Sequence, residues 1–289
     1  MGESFSLVVR ESVPMHYHDR LCTDLARAAI RGAFHDCATW SVNVPVTSPS
    51  SGGCDGSLFL VPAEIFRGEN GGLGPYKDFI VNFYNDPKNA YYKQVSMADL
   101  VIFAANHAIV TCPGGPVVKT WVGREDNSQL ESTTGLMPAA FGPGSDAATL
   151  IKLFGDKNFS PEDLAALVGA HTTSKAFAQD ALTSGIAQDS TLGVWDVKYY
   201  SETYNPPSNV GVFDSDVNLA QVNATTGPYF KGFVNDQGKW ASKFSDAMFR
   251  MTLLGIPSDV SKNFADCTNY LPKASNVPKR GFAARSSRR

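Results

Sequence analysis

The stretch SMADLVIFAANHAIV, residues 96–110, is apolar on nearly every side of a helical wheel. A helix of that kind has to be covered by other elements all round. It is too short to cross a membrane, and it carries Asn106 and His107. The rest of the chain must therefore wrap it. Ser96 and Asp99 predict its start as a capping box, and CPGGP predicts its end. The remaining patterning is helical too. CTDLARAAIRGAF repeats apolar residues at Leu25, Ala28, Ala29 and Phe34, which predicts an amphipathic helix within 21–37. SPEDLAALVGAHT carries the clearest start signal: Ser160 as N-cap, Pro161 at the first helical position, Asp163 three residues after the cap. GKWASKFSDAMFRMTLLGI predicts one more helix, stopped by Gly255 and Pro257. Strand signals are few and short, so the expected fold is mostly α. Long loops rich in Gly, Pro, Ser and Asn lie between the helices, and such loops need function, disulfides or metals to hold them.

The 289 residues suffice for a sizeable core. A hydrophobic content of 43%, with 18% charged residues, is that of an ordinary globular protein. A net charge of -3 asks for no nucleic acid, and no run is long enough for a membrane span. Residues 1–20 are interrupted by charge and lack a signal-peptide core, as in a mature chain behind an added Met-Gly. Five cysteines and the sequons at Asn158 and Asn223 point to an oxidising, extracellular setting. Residues 271–289 form a basic tail, expected to be loose.

Two stretches place costly polar groups in this apolar frame. In RGAFHDCATW, Arg31 and His35 lie four apart and share one helical face, while Asp36 points elsewhere. An imidazole can take and return a proton, and a fixed guanidinium stabilises developing negative charge. Taken alone, the pair reads more simply as a surface arginine and a hydrogen-bonded core histidine. In SGGCDGSLFL, Asp55, Ser57 and the Gly53 carbonyl join Asp36 as a calcium-type oxygen set. Taken alone, it is an Asp/Ser/Gly turn.

Together, Arg-x-x-x-His-Asp-Cys and Gly-Cys-Asp-Gly-Ser resemble the distal half of the plant, fungal and bacterial haem peroxidase superfamily. EIFRGENGGL resembles its segment with a Glu (Glu64) and the Asn that orients the distal histidine (Asn70). The central helix, CPGGP and GRED follow in order. DLAALVGAHTTS then resembles the proximal helix. The match runs from about residue 20 to about 270, and it is nearest to fungal secretory members. The resemblance implies a helical fold whose halves, 1–140 and 141–270, sandwich one haem b. It implies a secreted monomer using hydrogen peroxide to oxidise small aromatic, phenolic donors in two one-electron steps through an oxoferryl intermediate. Arg31, His35 and Asn70 would split peroxide, Phe34 would pack on the haem, and His171 would be the axial iron ligand. In VGVFDSDVNLA, Asp216 would accept from His171, with Asp214 the near competitor.

Two Ca2+ ions are implied: Asp36, Gly53, Asp55 and Ser57 around the first, Thr172, Asp189, Thr191, Val194 and Asp196 around the second. Cys22 would pair with Cys112 and Cys37 with Cys54, leaving Cys267 over. The departures bear on the donor. Manganese-oxidising members bring three carboxylates to a haem edge, where this chain has Asp24, Ala28 and Phe177. The exposed tryptophan of lignin-oxidising members falls on Ala166, and a usually aromatic proximal position is Gln188. The default is a generic donor site at the haem edge, near Pro138 to Phe141. Two rival readings are a zinc hydrolase built on His16, His18, His35 and Asp36, and a non-catalytic haem- or calcium-binding protein of the same fold.

Overall fold

The structure, a computed structural model, describes residues 22–44, 52–88, 94–176 and 185–274. Among them are eleven α-helices: α1 (Asp24–Cys37), α2 (Ser57–Leu60), α3 (Gly74–Asn85), α4 (Met97–Thr111), α5 (Ala147–Gly155), α6 (Pro161–Val168), α7 (Lys198–Tyr204), α8 (Asp214–Ala220), α9 (Gly227–Phe233), α10 (Gln237–Met251) and α11 (Ser258–Ser261). Four short 3-10 helices and two antiparallel pairs of two-residue strands complete the regular structure of these residues, the strands being β1 (Trp121–Val122) with β4 (Ala265–Asp266), and β2 (Lys175–Ala176) with β3 (Ile186–Ala187). The fold is mostly α, as the patterning predicts. No described helix is long and apolar enough to cross a membrane.

The all-apolar stretch becomes α4, and every residue from Met97 to Val110 is buried. Ser96 caps it by accepting from the Asp99 N–H at 3.0 Å. The Asp99 side chain does not complete the predicted capping box. It accepts instead from the Gly123 N–H at 2.7 Å and from the Arg124 guanidinium at 2.8 Å. A buried guanidinium must be paired, and that need outweighs the cap. Arg124 also donates to the Thr252 carbonyl at 2.6 Å. A continued α-helix would offer that carbonyl to Ile256. Helix α10 stops at Met251, ahead of Gly255 and Pro257; the Thr252 hydroxyl donates to the Phe249 carbonyl at 2.7 Å, and the next residues tighten into i→i−3 turns.

Helix α1 packs chiefly on α4. Ala26, Ala29 and Ala33 recur at helical spacing on one face of α1 and are buried, and such small side chains let two backbones approach closely. Of the apolar set expected from the sequence, only Ala29 lies on this face. Leu25, Ala28 and Phe34 are half-buried and line a cavity instead. Disulfides fasten both ends of α1: Cys22 to Cys112 at the end of α4, and Cys37 to Cys54 in the loop before α2. Both pairings agree with the resemblance, and Cys267 is a buried free thiol. Helix α6 packs mainly on α10. Its Ser160/Asp163 capping box forms as the sequence predicts.

Candidate active site

A cavity of about 1040 Å³ opens between these elements. Helix α1 contributes Arg31, Phe34 and His35 to its wall, and the turn after α6 contributes His171. Most of the remaining wall is apolar, including Leu73, Phe154, Leu164, Phe244 and Met248.

The α1 side is fixed by the loop that follows α2. Arg31 donates to the carbonyls of Gly71 at 2.7 Å and Glu69 at 2.8 Å, so its planar group is held in place. Burial lowers its pKa to about 10, which leaves it cationic at neutral pH. His35 Nδ1 lies 2.8 Å from Asn70 Oδ1. The Asn70 amide donates to the Glu64 carbonyl at 2.7 Å, which turns Oδ1 toward the histidine. His35 Nδ1 is therefore the protonated nitrogen, and Nε2 keeps its lone pair. Burial, with the charge of Arg31 added, lowers the His35 pKa to about 3. A neutral base thus stands beside a permanent cation. Phe34 stacks on Phe154, with centroids 6.3 Å apart.

His171 does not sit on the α-helix the sequence predicts. Helix α6 ends at Val168, and residues Gly169–Thr173 form a 3-10 turn. The Tyr200 hydroxyl donates to the Ala165 carbonyl at 2.8 Å, and the Trp240 indole to the Ala166 carbonyl at 3.0 Å. These are the carbonyls an α-helix would give to Gly169 and Ala170. A Cβ on Gly169 would lie 2.3 Å from that hydroxyl and 2.4 Å from that nitrogen, so only glycine fits between them. The tightened turn presents His171 to the cavity with its ring edge-on to Tyr199 and Phe213. Its Nδ1 lies 3.2 Å from Asp216 Oδ2 on the buried face of α8. Asp214 is exposed and accepts from the Gly142 N–H at 3.5 Å, so Asp216 is the neighbour of His171.

Each oxygen-rich set comes together locally. Asp36 accepts from the N–H groups of Gly56 and Leu58, and Asp55 from those of Ser57 and the Asn127 amide. The Gly53 carbonyl accepts from the Asp55 N–H at 2.9 Å. Burial raises the Asp36 pKa well above its ordinary value, and the charge of Asp55 adds to it. The buried Ser57 hydroxyl makes no hydrogen bond of normal geometry, but it lies close enough to the Asp55 carboxylate to favour its charged form. In the second set Thr172 donates to Asp189 at 2.5 Å and lies 3.3 Å from the Val194 carbonyl. The Thr191 N–H donates to Asp189 at 2.8 Å. Burial pushes Asp189 up to about 7, with Asp196 adding its charge, and burial raises Asp196 as well. Among the described residues, no group of three or more His, Cys, Asp or Glu side chains gathers around a point. Both sets instead combine two carboxylates with hydroxyl and carbonyl oxygens.

At the cavity mouth, Asp24 is held by Arg27 and by Lys175 Nζ at 3.1 Å. Pro138 to Phe141 line the same cavity. Ala166 is fully buried beneath Trp240. His16, His18 and Phe177 lie outside the described residues. Sequence reasoning missed Ser132, whose N–H and hydroxyl hold the Glu64 carboxylate at 2.7 and 2.8 Å. It missed Ser174, which donates to Gln188, and the Gly169, Tyr200 and Trp240 lock. Gly-x-His in a capped helix is the one local hint of that lock.

A sequence model of the family described as Peroxidase matches residues 9–236. Relatives include manganese peroxidase H4 of Phanerodontia chrysosporium, 27% identical over 89% of this chain and 69% of that protein. A peroxidase of Arthromyces ramosus is 28% identical over 89% of this chain and 72% of its own length. Ligninase C of Trametes versicolor is 27% identical, covering 91% and 73%.

Proposed function

Because the chain belongs to the peroxidase family, whose members are hydrogen-peroxide-dependent oxidoreductases, we propose that it is a secreted haem peroxidase oxidising small phenolic donors. The observation that carries the proposal is the pairing, in one cavity, of a neutral base beside a cation with a carboxylate-backed histidine. The residues fit a haem b. The wall is large and mainly apolar, and each histidine has Nδ1 committed to a side-chain oxygen, which leaves Nε2 for chemistry. When bound, the haem supplies an iron that takes up peroxide and holds its oxidising equivalents.

The protein's own part is proton and charge handling. His35 Nε2 takes a proton from one peroxide oxygen and delivers it to the other as that oxygen leaves. Arg31, clamped by two carbonyls, stabilises the negative charge that develops between them. Asn70 holds His35 in the tautomer this needs. His171 would hold the iron through Nε2, and Asp216 accepts its Nδ1–H, raising its basicity. Phe34 would pack on the macrocycle. The Arg27 and Lys175 contacts neutralise Asp24 and support an organic donor rather than a manganese ion at that edge. Donors would meet the edge near Pro138 to Phe141. Two disulfides and the exposed Asn158 and Asn223 support an extracellular setting.

The test is hydrogen-peroxide-dependent oxidation of a phenol by the haem-loaded protein, followed against pH. His35 is neutral above its folded pKa of about 3. The rate constant with peroxide is therefore expected to stay flat through the neutral range and to fall on an acid limb near pH 3. An acid limb near the ordinary histidine value, about 6.5, would mean that the surroundings of His35 do not depress its pKa; a limb that persists in His35→Leu would mean that another group is the base.

Ca2+ would join the carboxylates of each oxygen set and engage the buried Ser57 hydroxyl. Chelation should then lower thermal stability by exposing the repulsion of Asp36 with Asp55 and of Asp189 with Asp196. Added Ca2+ should restore it. Unchanged stability after verified metal removal would count against both sites.

A further inference from the structure

Gln188 is 2% exposed and sits where the β2–β3 pairing carries the chain back past His171, its N–H donating to the Ser174 carbonyl at 3.1 Å. Its amide has two fixed partners. The Ser174 hydroxyl donates to Oε1, and Nε2 donates to Asp216 Oδ2 at 3.2 Å. The opposite amide orientation would set an oxygen against a buried carboxylate, so the network fixes which end faces Asp216. The same Oδ2 receives His171 Nδ1, also at 3.2 Å. Gln188 Nε2 lies 3.4 Å from that ring nitrogen, where two donors face one acceptor. One buried oxygen therefore serves both groups.

We propose that Gln188 is a positioning residue that sets the basicity of His171 by sharing the Asp216 carboxylate. This inference rests on His171 being the axial iron ligand. Asp216 Oδ1 already accepts from the Ser215 hydroxyl at 3.4 Å, and Oδ2 is the oxygen that passes charge to the imidazole and strengthens the ligand. A second donor draws off part of that charge and weakens it. Neither an aliphatic nor a phenyl side chain at position 188 has a proton to give, so the effect requires a donor such as this amide. A weaker axial donor favours the ferrous iron and raises the Fe(III)/Fe(II) midpoint. The chain thereby holds a more oxidising resting iron than an unshared carboxylate would allow.

The experiment uses haem-loaded protein, with potentiometry and resonance Raman of the ferrous form as readouts. Gln188→Met keeps the length of the side chain and removes the donor. It is expected to lower the midpoint and raise the iron–histidine stretching frequency. Ser174→Ala frees the amide and is expected to shift both readouts in the same directions by less, which keeps the test available if the first variant fails to fold. In the Asp216→Asn background, replacement of Gln188 should have no further effect, because the shared charge is gone. A shift that persists in that background, a shift of opposite sign, or no shift in either single variant overturns the proposal. If the wild-type protein shows no histidine-ligand band that depends on His171, the axial assignment fails, and the role of Gln188 falls with it.

Discussion

Replacing His35 with leucine is expected to slow the reaction with hydrogen peroxide by about 10²–10⁴-fold, or more where Arg31 depends on the base to act. The reason is local. His35 is the α1 side chain in the wall that is uncharged at neutral pH and carries a free lone pair, whereas Asp24 and Arg31 are ionised. Its tautomer is set by Asn70, and Asn70 is in turn set by the Glu64 carbonyl. Leucine fills similar space and cannot carry a proton. The helix should survive, because α1 is fastened by disulfides at both ends and packs on α4. Haem should still bind, because His171 is untouched. Stopped-flow absorbance after mixing with peroxide measures the effect. A rate constant within a few-fold of wild type would remove His35 from its role.

The second large effect is expected at His171. His171→Ala should leave the protein folded, because the turn that carries the residue is held by Tyr200 and Trp240 rather than by the imidazole. It should lose the histidine-ligand band of the ferrous form and most of its turnover with peroxide. Added imidazole should restore part of both, since the substitution leaves a ring-sized space beside Asp216 between Tyr199 and Phe213. An unchanged ferrous spectrum would mean that another residue holds the iron.

How much of this was legible in the sequence depended on how local each signal was. The all-round apolar face of Met97–Val110 and the Ser160/Asp163 cap are properties of a few adjacent residues, and both are seen in the structure. Asp99 carries the same local cap signal but follows Arg124, a partner 25 residues away, because a buried guanidinium must be neutralised. The spacing of Arg31 and His35 placed them on one helical face, yet that spacing alone did not distinguish a site from a core histidine. Asn70, Asp216 and the second oxygen set were reached through the family's motif order, and the first set outweighed an ordinary turn only with it, since their partners are separated by up to 72 residues. The end of α6 was misjudged because no residue within it announces the change. The carbonyls of Ala165 and Ala166 are claimed by two side chains from α7 and α10. Gln188 stood out as a departure, but its amide acquires meaning only beside Asp216 and Ser174.

The central claim is that one cavity joins a peroxide-splitting histidine and an iron-holding histidine. The most direct test is the absorption spectrum of the haem-loaded protein before and after a stoichiometric amount of hydrogen peroxide, followed by a phenol. A high-spin ferric Soret band is expected that changes promptly with peroxide and returns when the phenol is added. A protein that takes up no haem would contradict the haem reading. A haem-loaded protein inert to peroxide would leave the family and fold standing and contradict the proposed enzymatic function.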